Sequence, residues 1–326
     1  MAATWDEVMS YEHEFLKAYK NPARPILYNS PELLFLEHLC RGHIDAAVAL
    51  FDEEQQFHRG PSVVDAPQGR YGGLQEIRRY AEFWLSGSNA TETWIEPVHQ
   101  TRAGGRSATE LVVYYRVRGF SKVLNFPMCI VAELRGLDRL NEARVYFFFR
   151  WMPGLHAHRR RVFPVEREAP PQQNMMSSLL RDYFYQGDRL FMEGSYERMC
   201  ELVGRDAIFG GFRPTNLEPV YYGTEAYHEK LKEFIPRGPR RELPEGMEVP
   251  AGIRTEVITD DGLTIVCEWE GFVCAPGAPR QVGIRQSGCS IYVREPETGL
   301  LQHVRIIDNA GFEAEIDWSQ VDERDW

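Results

Sequence analysis

The chain has 326 residues, of which 43% are hydrophobic, and its formal net charge is −11. This length predicts two domains that can each bury a core, and the acidic charge argues against nucleic acid as the main partner. The sequence has no apolar run that approaches the roughly 20 residues of a membrane span. It also begins without the basic start and apolar block of a secretion signal, so we expect a cytoplasmic protein.

Three helices are predicted after an N-terminal helical extension over residues 1–29. Residues 31–41 favour a helix because Pro31 suits a first turn and Glu32 suits the positive helix end. Gly42 ends this helix. The next segment has apolar residues at the spacing of one helix face, namely Ile44, Ala47, Val48 and Phe51. A third helix is predicted over residues 73–85.

The segments that follow these helices are rich in β-branched and aromatic residues, which is typical of strands. In the first half of the chain they cover residues 110–119, 127–134 and 144–151, with a turn over residues 136–138. In the second half they cover residues 263–273, 288–294 and 301–308. The order in each half is therefore helices first and long strands afterwards.

The second half repeats a pattern of the first. One set of residues recurs 152 positions later (194 − 42): Gly42, Leu50 and Phe57 return as Gly194, Leu202 and Phe209. Tyr71 and Gly72 return 151 positions later (222 − 71). The repeat predicts one domain over residues 30–152 and another over 174–326, joined by a linker over 153–173. The net charge is +1 for residues 1–163 and −12 for 164–326, so we expect the copies to have diverged.

Residues 41–51 and 71–77, with residues 194–196 and 222–226 in the second half, resemble segments of the NTF2-like superfamily. They are similar to its SnoaL-like, ketosteroid isomerase-like and scytalone dehydratase-like members. The resemblance implies an α+β fold of two tandem cones, each with three helices packed on a bent antiparallel sheet. It also implies that the two cones pair as a fused pseudo-dimer. A fold of this kind does not fix the chemistry.

A deep apolar pocket between the helices and the concave sheet face is what the resemblance implies for function. In such a pocket a carboxylate, His or Tyr moves protons without a metal or another cofactor. We therefore expect a cofactor-independent isomerase, dehydratase or cyclase that acts on a hydrophobic small molecule in a biosynthetic or catabolic pathway. The alternative is a non-catalytic module that binds a small molecule or a protein. Neither a membrane nor nucleic acid is an expected partner, and further homodimerisation stays open.

The resemblance also indicates which family residues are missing. Arg59 and Phe35 stand where the catalytic Asp and Tyr of ketosteroid isomerase are expected, and Gly211 stands opposite Arg59 in the second half. The scytalone dehydratase pattern instead places His99 at the position of a catalytic His. The second half has Glu256 there.

Four residues are candidates for catalysis: His58, His99, Tyr114 and Asp308. A neutral imidazole suits a proton shuttle, and strand alternation points either His58 or Arg59 inward. Of Tyr114 and Tyr115, one faces the cavity and can donate to an oxyanion. Asp308 ends an apolar strand, where burial would raise the pKa of a carboxyl group.

The candidates for substrate binding have large polar or aromatic side chains near the expected pockets: Arg59, Tyr71, Phe148, Trp151, Tyr222 and Trp269. Asp65 stands shortly before Pro67 and is predicted to be a turn residue. The six cysteines have no C-x-x-C spacing and are expected to be buried thiols, and we expect no metal site.

Overall fold

The computed structural model describes residues 25–51, 61–65, 69–86, 90–118, 123–147, 203–209, 221–223, 225, 254–274 and 283–308. The predicted linker over 153–173 and most of the predicted N-terminal extension lie outside these residues. Within them, no helix is both long enough and apolar enough to cross a membrane.

Three helices are described in the first half: α1 (Pro31–Arg41), α2 (Ile44–Val48) and α3 (Leu74–Ser86). Helix α1 has the predicted bounds. It ends at Gly42, whose φ of 69° is a left-handed conformation that glycine adopts without strain. Helix α2 is shorter than predicted because the chain leaves it to pair with a strand. The Leu50 carbonyl accepts a hydrogen bond from the Leu140 N–H, and Phe51 bridges to Leu140.

The first sheet has six strands: β1 (Ser62–Asp65), β2 (Gly69–Gly72), β3 (Ala90–Ala103), β4 (Arg106–Val117), β5 (Val123–Arg135) and β6 (Arg139–Phe147). Their order is β2-β1-β6-β5-β4-β3, and the β1–β6 pair is parallel while the other pairs are antiparallel. Side chains alternate between the two faces of this sheet. The inner face packs on the three helices around a buried apolar core that includes Leu36, Leu111 and Ile130.

The second sheet has the strands β7 (Val203–Phe209), β8 (Tyr221–Tyr222), β9 (Arg254–Asp260), β10 (Thr264–Cys274), β11 (Gly283–Arg294) and β12 (Leu301–Asp308). Its order is β8-β7-β12-β11-β10-β9, which is the order of the first sheet strand for strand. The β7–β12 pair is again parallel. Helices on one face of a mostly antiparallel sheet give the first half the NTF2-like α+β architecture that the resemblance implies.

The outer face of the first sheet is the face turned away from α1, α2 and α3. This outer face packs against one face of the second sheet. A second apolar core lies between them and includes Val112 and Val131 from the first sheet and Ile291 from the second. The Sγ atoms of Cys129 and Cys289 are 3.3 Å apart in this core, and both residues are fully buried free cysteines.

The polar contacts across the interface come in matching pairs. Arg144 Nε donates to Glu268 Oε1 at 2.6 Å, and Arg305 Nε donates to Glu110 Oε1 at 2.6 Å. Strand register makes these two pairs equivalent. Glu110 and Tyr146 both pair with Cys129, whereas Glu268 and Ile307 both pair with Cys289. Counting two residues back along β6 and β12, Arg144 then corresponds to Arg305.

Strand register also corrects the alignment of the two halves. Val63 pairs with Ala143, and Phe209 pairs with Val304, the counterpart of Ala143. Phe209 therefore corresponds to Val63, and the predicted match of Phe209 with Phe57 is wrong. The connection before this strand is shorter in the second half, which moves the alignment by six positions (63 − 57). Counting two residues onward in the sequence from Phe209 and Val63, Gly211 then corresponds to Asp65 instead of Arg59.

Candidate active site

Asp65 lies inside the first half at the end of β1, and only 1% of it is exposed. Alternation along this strand puts Val63 and Asp65 on the inner face, while Val64 belongs to the core between the sheets. The prediction of a turn residue is therefore wrong. Pairing with β6 extends the strand as far as Asp65. The carboxylate of Asp65 then lies close to Tyr80 of helix α3.

Two buried phenols lie beside this carboxylate. Tyr80 comes from helix α3 and Tyr115 from β4, and they are 1% and 2% exposed. Burial raises the pKa of Tyr80 well above its ordinary value, and the charge of Asp65 raises it further. Burial also raises the pKa of Tyr115, with added effects from Cys40 and Asp65. Both phenols therefore stay protonated at neutral pH and can serve as hydrogen-bond donors.

The Tyr80 hydroxyl is the least satisfied group of this cluster. Asp65 acts on the pKa of Tyr80 by its charge and by contact with the hydroxyl, but that contact falls short of ordinary hydrogen-bond geometry. Within the described part of the chain, no other group completes a hydrogen bond to this oxygen. A buried hydroxyl in this state costs stability and is an expected feature of a functional site.

Three aromatic rings lie close to the ring of Tyr80. Its ring centroid lies 5.1 Å from that of Tyr71, 5.9 Å from that of Trp84 and 6.5 Å from that of Phe35. Tyr71 is half-buried, whereas Phe35 and Trp84 belong to the inner core. These contacts fix the ring of Tyr80 and give the carboxylate a water-poor setting in which electrostatic interactions are strong.

Cys40 is close enough to influence Tyr115, but it is a poor nucleophile. Burial, followed by the charge of Glu37, raises the pKa of its thiol to about 12, so it is not ionised at neutral pH. The chemistry that this cluster can perform is therefore proton transfer between the carboxylate and a ligand, with the phenols as donors. In the described segments, no three His, Cys, Asp or Glu residues form a group that could hold a metal ion.

A second buried carboxylate of the first half has a different environment. Glu32 is fully buried, and its Oε1 atom accepts hydrogen bonds from Gln100 Nε2 at 2.8 Å and from Thr109 Oγ1 at 3.4 Å. Arg102 Nη2 lies 3.4 Å from its other oxygen. These contacts join the first turn of helix α1 to β3 and β4. Glu32 is therefore a paired structural carboxylate.

Two predicted catalytic residues lie on the outer face, away from the Asp65 cluster. His99 is 4% exposed, and its Nε2 atom is 3.2 Å from Thr264 Oγ1 in the second sheet. The hydroxyl of Tyr114 donates to Glu96 Oε2 at 3.1 Å, and its ring stacks on Trp94. Of the two tyrosines of β4, Tyr115 is the one that faces inward, so the predicted catalytic residues His99 and Tyr114 both lie away from the cluster.

The other predicted site residues divide into three groups. Those in the first group lie outside the described residues: His58, Arg59, Phe148 and Trp151. Those in the second group belong to described strands, but their side chains lie outside the description: Tyr222, Trp269 and Asp308. Tyr71 forms the third group, because it contacts Tyr80 and is part of the cluster.

In the sequence, the positions of the second half that align with the three key residues hold no carboxylate or phenol. Gly211 aligns with Asp65 when the register of β1 and β7, described as far as Phe209, is extended by two residues along the sequence. Val273 corresponds to Tyr115, because each is five residues beyond the interface glutamate of its strand (115 − 110 and 273 − 268).

Lys230 corresponds to Tyr80 in the sequence. The turns that follow β2 and β8 are equivalent because Gly73 and Gly223 both have positive φ, at 81° and 92°. Their N–H groups donate to the carbonyls of Pro61 and Ala207, which are themselves equivalent. This offset of 150 positions (223 − 73) corrects the predicted match of Tyr71 with Tyr222, because the strand pairs make Tyr221 the counterpart of Tyr71. Counted along the sequence, the same offset gives Lys230. By sequence alignment, the Asp–Tyr–Tyr set of the first half is therefore not repeated in the second.

No family model matches the chain, and no curated protein gives a significant match. Several solved structures are similar to it. A protein with a ketosteroid isomerase-like fold from Catenulispora acidiphila is 17% identical, with 35% of this chain and 81% of that chain covered and a TM-score of 0.30. A candidate SnoaL-like polyketide cyclase from Shewanella putrefaciens is 14% identical over 45% and 92% of the two chains, with a TM-score of 0.31. An LEH-like epoxide hydrolase from M. tuberculosis is 18% identical over 36% and 80%, with a TM-score of 0.29. These are NTF2-like proteins, the superfamily that the sequence resembles.

Proposed function

We propose that the first half is a cofactor-independent acid–base enzyme that acts on a small hydrophobic molecule, with Asp65 as its general base. The observation that carries this proposal is the placement of one buried carboxylate beside two buried, protonated phenols. A base must lie within reach of the proton that it removes, in a site where water does not compete. Asp65 has the chemical type and the burial for that role.

Tyr80 and Tyr115 have complementary roles in this proposal. When Asp65 takes a proton from the substrate, negative charge develops on a nearby substrate oxygen. A protonated phenol that points at this oxygen stabilises the transition state more than the ground state. Asp65 then returns the proton at another position, or a leaving group departs. Isomerisation, dehydration and cyclisation all use these steps.

The substrate class follows from the surroundings of the cluster. Aromatic rings from Phe35, Tyr71 and Trp84 favour a molecule with an apolar or aromatic body. The negative charge of Asp65 disfavours an anionic substrate in the same low-dielectric site. We therefore infer an uncharged substrate with a carbonyl or hydroxyl group that the phenols can bind.

A second function, non-catalytic binding or support, is proposed for the second half. In the aligned sequence Gly211, Lys230 and Val273 replace Asp65, Tyr80 and Tyr115, and none of the three replacements can act as the proposed carboxylate base or phenol donors. We further infer that the halves pair as a fused pseudo-dimer with one active cone per chain. The matching Arg144–Glu268 and Arg305–Glu110 contacts support this pairing, because a twofold interface repeats each contact.

The test uses 5-nitrobenzisoxazole, a neutral aromatic probe whose ring opens when a base removes one proton. The full-length protein is expected to accelerate this opening, and Asp65→Asn to reduce the acceleration by about 100-fold or more. Glu32→Gln is the matched control, because it removes a buried carboxylate of the same half that is already paired. Equal losses in both variants, or no acceleration by the parent protein, would contradict the role of Asp65.

A further inference from the structure

One side chain of the second half accepts hydrogen bonds from two residues on the outer face of β6. Glu268 lies on β10, and its Oε1 atom accepts hydrogen bonds from Arg144 Nε at 2.6 Å and from the Tyr146 hydroxyl at 2.7 Å. The side chains of Arg144 and Glu268 are fully buried. Arg144 and Tyr146 flank Val145, the β6 residue that pairs with Asp65.

From Arg144 the contacts continue into β1 and β2. Arg144 Nη1 lies 2.5 Å from Glu142 Oε1. The other oxygen of Glu142 accepts hydrogen bonds from Ser62 Oγ at 2.8 Å and from Arg70 Nη1 at 2.5 Å. Burial acts to raise the pKa of Glu142, but Arg144 and Arg70 hold it well below its usual range. A largely buried network of ion pairs and hydrogen bonds therefore joins Glu268 to the strand that ends in Asp65.

Strand β1 depends on such support because it is only four residues long. Of its two outward residues, Ser62 donates a hydrogen bond to Glu142, and Val64 pairs in register with Arg144. Its inward residues are Val63 and Asp65. A change in the position of Arg144 therefore moves the backbone of β1. The carboxylate of Asp65 moves with it relative to Tyr80 and Tyr115, which are attached to other elements.

Among the described residues of the second half, the positions equivalent to this network hold different side chains. Glu110 and Arg305 repeat the ion pair, but the residues that extend it are replaced: Ile208 stands for Ser62, His303 for Glu142 and Ile307 for Tyr146. Burial, followed by the charge of Arg305, lowers the pKa of His303 to about 4, so it is neutral at pH 7 and supplies no anion. Within the described strands, the ion pair is therefore repeated between the halves, whereas the Ser62, Glu142 and Tyr146 side chains that extend it in the first half are not repeated in the second.

We propose that Glu268 is a positioning residue: it lies in the second half and sets the position of the Asp65 carboxylate in the first. The importance of this role rests on the proposed function, in which Asp65 is the base. The coupling between Glu268 and Asp65 does not rest on the proposed function, because it concerns only the position of the Asp65 carboxylate. The second half thereby contributes a residue to the site of the first.

The test measures the ionisation of Asp65 directly in the full-length protein. The carboxyl carbon signal of Asp65 is followed by NMR as the pH is changed, and Asp65→Asn identifies the signal. Three variants are compared: Glu268→Gln, Tyr146→Phe and Glu110→Gln. Tyr146→Phe keeps every charge, so a shift that it shares with Glu268→Gln comes from strand position. Glu110→Gln removes the same type of ion pair from the same interface but leaves the network behind β1 intact.

The titration midpoint of Asp65 is expected to shift by about half a pH unit or more in Glu268→Gln and Tyr146→Phe, and to stay unchanged in Glu110→Gln. Equal shifts in Glu268→Gln and Glu110→Gln would overturn the proposal, as would an unchanged midpoint in Glu268→Gln. If Glu268→Gln does not fold, the comparison of Tyr146→Phe with Glu110→Gln decides. Turnover of the nitrobenzisoxazole probe is a separate measurement, so its failure bears on the proposed function alone.

Discussion

Arg144 and Glu268 are 124 positions apart in the sequence, yet Arg144 Nε lies 2.6 Å from Glu268 Oε1 with both side chains fully buried. Moving two charges out of water is costly, and their attraction offsets the cost only when the remaining donors and acceptors are also paired. Arg144 meets this condition in part: its Nη1 atom contacts Glu133 and Glu142, whereas Arg144 Nη2 and Glu268 Oε2 complete no hydrogen bond within the described residues. Displacing one half would leave Glu268 without its buried cation and Arg144 without one of its three carboxylates.

The first prediction concerns the cost of breaking this pair. Arg144→Met is expected to lower the free energy of unfolding by about 3–5 kcal/mol, because Glu142 and Glu268 lose a buried cation. Urea titration measures the change. Arg116→Met is the control, since Arg116 and Glu92 form an exposed pair at 3.0 Å and such pairs contribute about 1 kcal/mol or less. Similar losses in the two variants would contradict the buried network.

The second prediction separates stability from activity at Tyr80. Tyr80→Phe removes a hydroxyl that lacks a well-formed hydrogen bond, so the free energy of unfolding is expected to change by about 1 kcal/mol or less. Turnover of the nitrobenzisoxazole probe is expected to fall by roughly 100-fold, because a donor to the developing charge is lost. Tyr114→Phe, on the outer face, should leave turnover unchanged. Unaltered turnover in Tyr80→Phe would exclude the hydroxyl from the reaction.

The third prediction is a pH dependence of stability that comes from His303. Its pKa is lowered from 6.5 to about 4 in the folded protein, so the unfolded chain binds a proton that the folded protein does not. The contribution of His303 is therefore complete above pH 6.5 and decreases as the pH falls towards 4. His303→Leu should show a smaller loss of unfolding free energy across this interval. An identical pH profile for both proteins would refute the assignment.

The fourth prediction tests the proposed pairing of the halves. The sulfur atoms of Cys129 and Cys289 are 3.3 Å apart, so a thiol oxidant such as diamide is expected to join them in a disulfide. Burial raises the pKa of Cys289, so the reaction should be slow and should accelerate in alkali, where thiolate forms. Peptide mapping without reductant detects the link, and Cys289→Ser should abolish it. If the folded protein forms no link even in alkali, the packing of the two sheets is different.

Local signals explain which parts of the fold could be predicted. Helix α1 has the predicted bounds because Pro31 and Gly42 act within one turn of the helix ends. Strand β12 likewise has its predicted bounds, residues 301–308, because its apolar run is closed on one side by a turn. Strand β3 was harder to recognise, because its register shifts between Pro97 and His99 and interrupts the alternation. That same shift puts both Val98 and His99 on the outer face, where strict alternation would have turned one of them inward.

Asp65 was missed because its environment is not local. Pro67 indicated a turn, whereas pairing with β6, about 80 residues further along the chain, makes Asp65 part of a strand. The alternation of Val63 with Asp65 is the signal that could have revealed it. The predicted comparison paired Gly211 of the second half with Arg59 of the first, whereas strand register pairs Gly211 with Asp65. The error arose because a shorter connection in the second half had moved the alignment.

Thr101 and Thr259 show what the proposed pairing of two copies in one chain would make possible. Their hydroxyl oxygens are 2.5 Å apart, and each residue touches its own counterpart, as Cys129 touches Cys289. In a homodimer one codon would specify both members of such a contact, so any mutation would appear on both sides at once. A fused gene has a separate codon for each side. Mutations on one side alone can then build an unequal arrangement, as at Tyr146 and Ile307.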